Sequence, residues 1–242
     1  MNAEDIVYTP LDLPPCPVVD VTKLYSWIDN TYPQNDLLKF THGKIIAKHS
    51  HKAEYSWNTT FAKAVTWRNN FQEEFPEIVD YVTKDWGFDD SEVLGLVLLP
   101  KRVDQLAKGF WHSDADKLGL RFYIEFENLK DDKLLFKKTL THNISDENLF
   151  RFFEDNTGLE ETTYEAKVLT NRQPFYINNY AAAHTVYNVT SQPRIAVVLG
   201  TTHEKTYNSG IKQKVNKLIV DSAMKYYKEA IFWHDWSDGI SR

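Results

Sequence analysis

The sequence predicts a mainly β protein with flanking helices, and three observations predict it. Short β-prone runs crowd into the stretch after Val93, turn residues separate them, and apolar residues at helical spacing stand before and after that stretch. The chain has 242 residues, 42% hydrophobic and 14% aromatic, enough to bury a full core in one domain. The expected organisation is a single domain over 1–242, with an N-terminal helical flank at 1–90, a β core at 91–203 and a C-terminal helix within 204–242.

In the flank, "FPEIVDYVTKDWGF" sets Pro76 at a helix start and Gly87 at its end, and Phe75, Ile78, Val79 and Val82 form one apolar stripe. The β runs follow at 93–99, 110–112, 118–126, 134–139, 164–169, 174–178, 183–189 and 194–200. Eight strands in so short a length imply antiparallel sheets, since parallel strands need long crossovers. "SDENLFRFFEDNTG" opens on Ser145 with Asn148 three residues on and closes on Gly158, which predicts a helical insert near 145–158. Past Gly210, Ile211, Val215, Leu218, Ile219 and Met224 recur at helical spacing, so the last helix either buttresses the sheet or makes a homodimer contact. With no Gly-rich phosphate loop, the architecture expected is a sandwich, jelly roll or cupin-like barrel that encloses a pocket.

Composition excludes several functions. No apolar run approaches the roughly 18 residues of a membrane span, and "MNAEDIVYTP" lacks the basic start and apolar core of a secretory signal. A single cysteine, Cys16 in "LPPCPV", cannot form an internal disulfide, so a reducing, cytoplasmic setting is expected. A formal charge of -6 offers no basic face to phosphates, which argues against nucleic acid as a partner.

"GFWHSDAD" then raises the chemical question. His112 and Asp114 stand two apart, a spacing that points both side chains to one face of a strand. A distant histidine would complete the two-histidine, one-carboxylate set typical of non-haem Fe(II) oxygenases, which leaves metal positions open for substrate. Of the downstream histidines, His142 and His203 sit in loop-like sequence, whereas His184 lies in a β run with small residues before it. If residues 190–193 form a tight connection, His184 and Arg194 lie on adjacent antiparallel strands, about 5–8 Å apart. A small diacid such as 2-oxoglutarate would then chelate iron at one end and pair its far carboxylate with the Arg194 guanidinium.

"HSDADKLGLRFYIEF" followed by "HTVYNVTSQPRIAVV" resembles the Fe(II)/2-oxoglutarate-dependent oxygenases, and among them the aspartyl/asparaginyl and proline hydroxylase group. In that group an H-x-D precedes a Leu-Arg pair, as Leu120 and Arg121 stand here, and the distal histidine precedes N-x-T and then an arginine, as Asn188, Thr190 and Arg194 do here. The resemblance covers residues 93–200 at most. It implies a double-stranded β-helix that couples 2-oxoglutarate decarboxylation to O2-dependent hydroxylation of an unactivated C–H on a free amino acid or a peptide side chain. It implies Fe(II) on His112, Asp114 and His184, 2-oxoglutarate on Arg194 with Tyr123 or Asn188 nearby, and a substrate carboxylate on Arg121. One departure stands out: the group often has a histidine two residues past the Leu-Arg arginine, where this chain has Tyr123, whose phenol can still donate to a carboxylate.

Blander readings compete at each residue. A lone H-x-D is more often a polar loop than a metal site; the strand histidine and the arginine at a ten-residue offset reverse that weighting. In "LRFYIEF", Arg121, Tyr123 and Glu125 share a face that lines a pocket if interior and is merely wet if exterior. His49 and His51 in "KHSHK" read as a solvated loop, and Asp116 as too far along to replace Asp114. Trp111 adjoins His112, so it is a candidate pocket wall, while the other tryptophans are core. Two alternatives remain open at this stage, a nucleic-acid-modifying 2-oxoglutarate oxygenase and a non-catalytic cupin-like binding module.

Overall fold

The alternating runs after Val93 fold as strands that pair antiparallel throughout, as period-two sequences with one face to bury should. A computed structural model describes residues 1–31, 62–66, 71–88, 93–100, 111–114, 119–124, 133–140, 150–152, 158–166, 172–179, 182–187, 195–201 and 210–233. Its strands are β1 Ile6–Pro10, β2 Ala62–Thr66, β3 Val93–Pro100, β4 His112–Asp114, β5 Leu120–Ile124 and β6 Lys133–Lys138. They continue as β7 Phe150–Phe152, β8 Tyr164–Ala166, β9 Phe175–Ile177, β10 Ala182–Tyr187, β11 Ile195–Thr201 and β12 Ile231–Phe232.

These strands make two sheets. The larger runs β12-β1-β9-β5-β11-β3-β2 and the smaller β7-β4-β10-β6-β8. Each of the eight expected runs overlaps a strand, the 110–112 run at His112 alone, and the eight strands pair in a nested way. The first pairs with the last (β3 with β11), the second with the seventh (β4 with β10), the third with the sixth (β5 with β9) and the fourth with the fifth (β6 with β8). A long hairpin rolled over on itself has this order. The inner faces meet through Tyr8, Phe175 and Ile177 of the larger sheet and Leu134, Phe136, Ala166 and Ala182 of the smaller. The Tyr8 and Phe136 rings lie 5.9 Å apart across the gap.

Helices cover the outer face of the larger sheet. They are α1 Val21–Thr31, α2 Phe71–Glu74, α3 Pro76–Asp80 with a π turn at Tyr81–Asp85, and α4 Lys212–Lys225. Pro76 opens α3, where its missing N–H costs nothing, and Gly87 after the π turn has φ +67. Leu120, Phe122 and Ile124 of β5 join Ile78, Val82, Trp86, Val215 and Ile219 in this outer core. Phe122 sits edge-on to Tyr81 at 5.3 Å and to Trp86 at 5.7 Å. Truncating so enclosed an aromatic costs about 3–5 kcal/mol. The C-terminal helix is thus a buttress: Val215, Ile219 and Ala223 are buried within the chain, while Met224 is exposed. No described helix is long and apolar enough to cross a membrane.

Two expectations need correction. The flank at 1–90 is not purely helical, because β1 and β2 complete the larger sheet on either side. The insert near 145–158 is not a helix at its centre, since Phe150–Phe152 pair with β4. There the Phe-Arg-Phe alternation and the open edge of β4 outweigh the capping signature at Ser145.

Candidate metal centre

His112, Ser113 and Asp114 constitute β4, and the register sets His112 directly opposite His184 of β10. Directly opposed residues of an antiparallel pair project to the same face with Cβ atoms about 4.5–5.5 Å apart. Alternation then puts Asp114 on that face and Ser113 on the other. On its far side β10 sets Phe136 opposite His184. Phe136 belongs to the core between the sheets, so the histidines and Asp114 share the face that looks at the larger sheet. Counting on from the His112–His184 pair brings Asp114 opposite Ala182, a methyl side chain that leaves room beside the carboxylate position. The His184 side chain is described and is 1% exposed; for His112, Asp114 and Tyr123 the backbone alone is described. Histidine and aspartate are residue types that suit a first-row transition metal, and the register brings two histidine positions and one aspartate position to the same strand pair. Among the described side chains no trio of His, Cys, Asp or Glu gathers. Cys16 is no competitor, because burial pushes its thiol up to about 12.

Across the gap lies Arg121. Its neighbours Leu120 and Phe122 turn to the helices, while Arg121 pairs with Phe175, a member of the core between the sheets. Arg121 is therefore interior, and it is 8% exposed. Its Nη2 donates to Oδ1 of Asn179 at 2.6 Å, and Asn179 is itself buried. Tyr123 falls on the same side of β5 by parity, at the register position of Ala196. Sequence reasoning passed over Asn179, whose one signal was a polar Asn-Asn pair between two β runs.

Two site expectations change. The strands on either side of the 188–194 connection are not neighbours, because β10, which carries His184, belongs to the smaller sheet and β11, which opens at Ile195, to the larger. Trp111 does not wall the histidine face. It packs with Leu159 and Ala183, on the opposite side of the smaller sheet, with the Lys137 ammonium 5.3 Å from its ring centre. Strand parity explains this, since the residue before an inward His112 must point outward. Asn188 and Arg194 lie outside the described residues, as do His49, His51, Asp116, His142 and His203.

No family model and no curated protein matches the chain. Among solved structures it is similar to an oxalate decarboxylase from Bacillus subtilis, at 10% identity over 58% of this chain and 26% of that one, with a TM-score of 0.25. It is similar to a prolyl-4-hydroxylase from Pseudomonas putida at 9% identity over 67% and 87%, with a TM-score of 0.27. A non-heme monooxygenase in a nickel complex aligns at 12% identity over 93% and 96%, again with a TM-score of 0.27. The chain spans about a quarter of the length of the oxalate decarboxylases it matches. Superpositions this loose carry no argument about fold or activity, and none is drawn from them.

Proposed function

We propose that this chain is a double-stranded β-helix oxygenase that holds Fe(II) on His112, Asp114 and His184 and uses 2-oxoglutarate and O2 to hydroxylate an unactivated C–H. One observation carries the reading: His184 is the register partner of His112, with Asp114 two residues on along the same strand. The nested strand pairing supports the fold half of the proposal, since two interlocked Greek keys pair first with last in this way.

The roles of the residues follow from their places. His112, Asp114 and His184 would hold the metal, and three protein ligands would leave room for cosubstrate and O2. Iron held there would activate O2, the oxidant, which is chemistry that no side chain supplies. Arg194, one residue before β11, meets the far carboxylate of 2-oxoglutarate from the opposite sheet, and Tyr123 and Asn188 add donors beside it. Arg121 takes a carboxylate of the substrate, a free amino acid or a peptide, and so fixes which carbon faces the metal. Tyr8, Phe136 and Phe175 wall the space between the sheets with apolar rings, which excludes water.

Anaerobic titration with Fe(II), with and without 2-oxoglutarate, tests the reading. The wild type should bind one iron and develop the weak visible charge-transfer band of an Fe(II)–2-oxo acid chelate. His112→Ala, Asp114→Ala and His184→Ala should each lose iron by at least about a hundredfold while staying folded, and His203→Ala should keep it. A wild type that binds no iron, or an iron site that survives His184→Ala and disappears in His203→Ala, would refute the assignment. The first outcome would favour a non-catalytic barrel.

A further inference from the structure

The crossing from β9 to β10 carries the chain from the larger sheet to the smaller, and Asn179 stands in it, five residues before His184. Its side chain is 1% exposed and accepts a hydrogen bond from Arg121 Nη2 at 2.6 Å. A guanidinium carries donors only, so the amide must present its oxygen to it. That requirement orients the whole amide and turns Nδ2 away from Arg121. Among the described residues this buried nitrogen meets no acceptor. Burying an amide donor without an acceptor is costly, and native proteins rarely do it without a use for the donor.

We infer that Asn179 Nδ2 and the Arg121 guanidinium together form a carboxylate-binding subsite between the sheets, with Asn179 the residue that selects a free acid. The inference rests on the reading of Arg121 as the substrate-carboxylate group. A carboxylate presents acceptors alone, so one oxygen can take the guanidinium and the other the amide hydrogen. A primary amide would turn a donor toward one of these two donors. A methyl ester would give up the charge that the guanidinium pairs with. The ligand class is therefore a small molecule or chain end with a free carboxylate.

Asn179→Asp separates this role from a structural one. Aspartate keeps the acceptor that Arg121 uses and strengthens it, but removes the amide donor and cancels the guanidinium charge. Metal-free wild type and variant would be titrated calorimetrically with proteinogenic amino acids one at a time and with their methyl esters. At least one free acid should bind the wild type, with its ester weaker by about tenfold or more. Asn179→Asp should melt at or above the wild-type temperature and bind that acid at least about tenfold more weakly. Asn179→Ala, confirmed folded by circular dichroism, should weaken it too and serves if the aspartate variant does not fold. Unchanged affinity in the folded variants, or no free acid bound by the wild type, overturns the subsite. The same proteins titrated with Fe(II) keep the two questions apart. Iron retained while the acid is lost supports both readings. Acid binding that depends on Asn179 in a wild type that takes up no iron leaves the subsite standing and sinks the oxygenase.

Discussion

Gly119→Ala should destabilise the protein by about 3–6 kcal/mol, summed from three contributions. Gly119 has φ +61, and a Cβ placed on it would overlap the backbone carbonyl oxygen of Ile177 and lie 2.9 Å from Cε2 of Tyr176. The left-handed conformation alone costs a residue with a Cβ about 1–2 kcal/mol. The overlap is with backbone, so no rotamer relieves it, and overpacking of this kind costs about 1–3 kcal/mol. Moving Gly119 away also stretches the 2.9 Å bond from Ile177 N–H to the Gly119 carbonyl, worth about 1 kcal/mol net. At about 2–4 °C per kcal/mol for a chain of this size, the melting temperature should fall by roughly 10 °C. Scanning calorimetry of wild type and variant in one buffer measures it. Gly119→Asn isolates the contact, since asparagine tolerates positive φ but still carries the Cβ. An alanine variant melting within about 2 °C of wild type would refute the close approach and, with it, the β5–β9 register that aims Arg121 between the sheets.

Further outcomes follow from the site. Arg194→Ala should retain Fe(II) and weaken 2-oxoglutarate by about 2–5 kcal/mol, read from the chelate band; unchanged affinity removes Arg194 from the site. Arg121→Ala should spare iron and 2-oxoglutarate but abolish substrate-stimulated succinate formation, and esterifying the stimulating substrate should mimic it. Stimulation by single-stranded DNA or RNA and not by amino acids or peptides would instead favour a nucleic-acid substrate. Cys16 is fully buried and its thiol is raised from 9.0 to about 12 by desolvation, so iodoacetamide at pH 8 should label it only after denaturation. Because the folded state holds that proton more tightly, the thiol's contribution to stability is complete below 9.0 and is lost as pH rises toward about 12. Rapid labelling of the native protein would contradict the burial.

The β core was legible because its signal is local. In "LRFYIEF" the alternation of Leu120, Phe122 and Ile124 with Arg121 and Tyr123 gives strand and parity at once, and a register pair needs no more information than parity and a partner. What was missed depends on residues distant in sequence. β1 is buried at all five positions, so it has no polar alternation to betray it, and it becomes a strand by pairing with β9. β7 exists because β4 leaves an edge open for it. The link between His184 and Arg194 reads alike whether the chain turns within a sheet or crosses to the other, since its residues do not record which sheet follows. Trp111 is different: the alternation that placed His112 inward already placed Trp111 outward, and adjacency obscured it. Asn179 was invisible because its meaning is a hydrogen bond to an arginine 58 positions away.

The seam between β1 and β12 sets a schedule for the ribosome. Ile6 pairs with Phe232, and the amide of Asp12 donates to Ser222 Oγ at 2.8 Å while its carboxylate meets Lys225 at 2.5 Å. β1 thus waits for a segment made long after it, the Asp12–Ser222 contact alone spanning 210 positions, and Ile6, Val7 and Tyr8 lack their final cover until then. Loop closure over such a span is slow, and an apolar strand kept waiting invites pairing with the wrong chain. The same seam joins early and late segments at one sheet edge, so shortening either one unzips the same border.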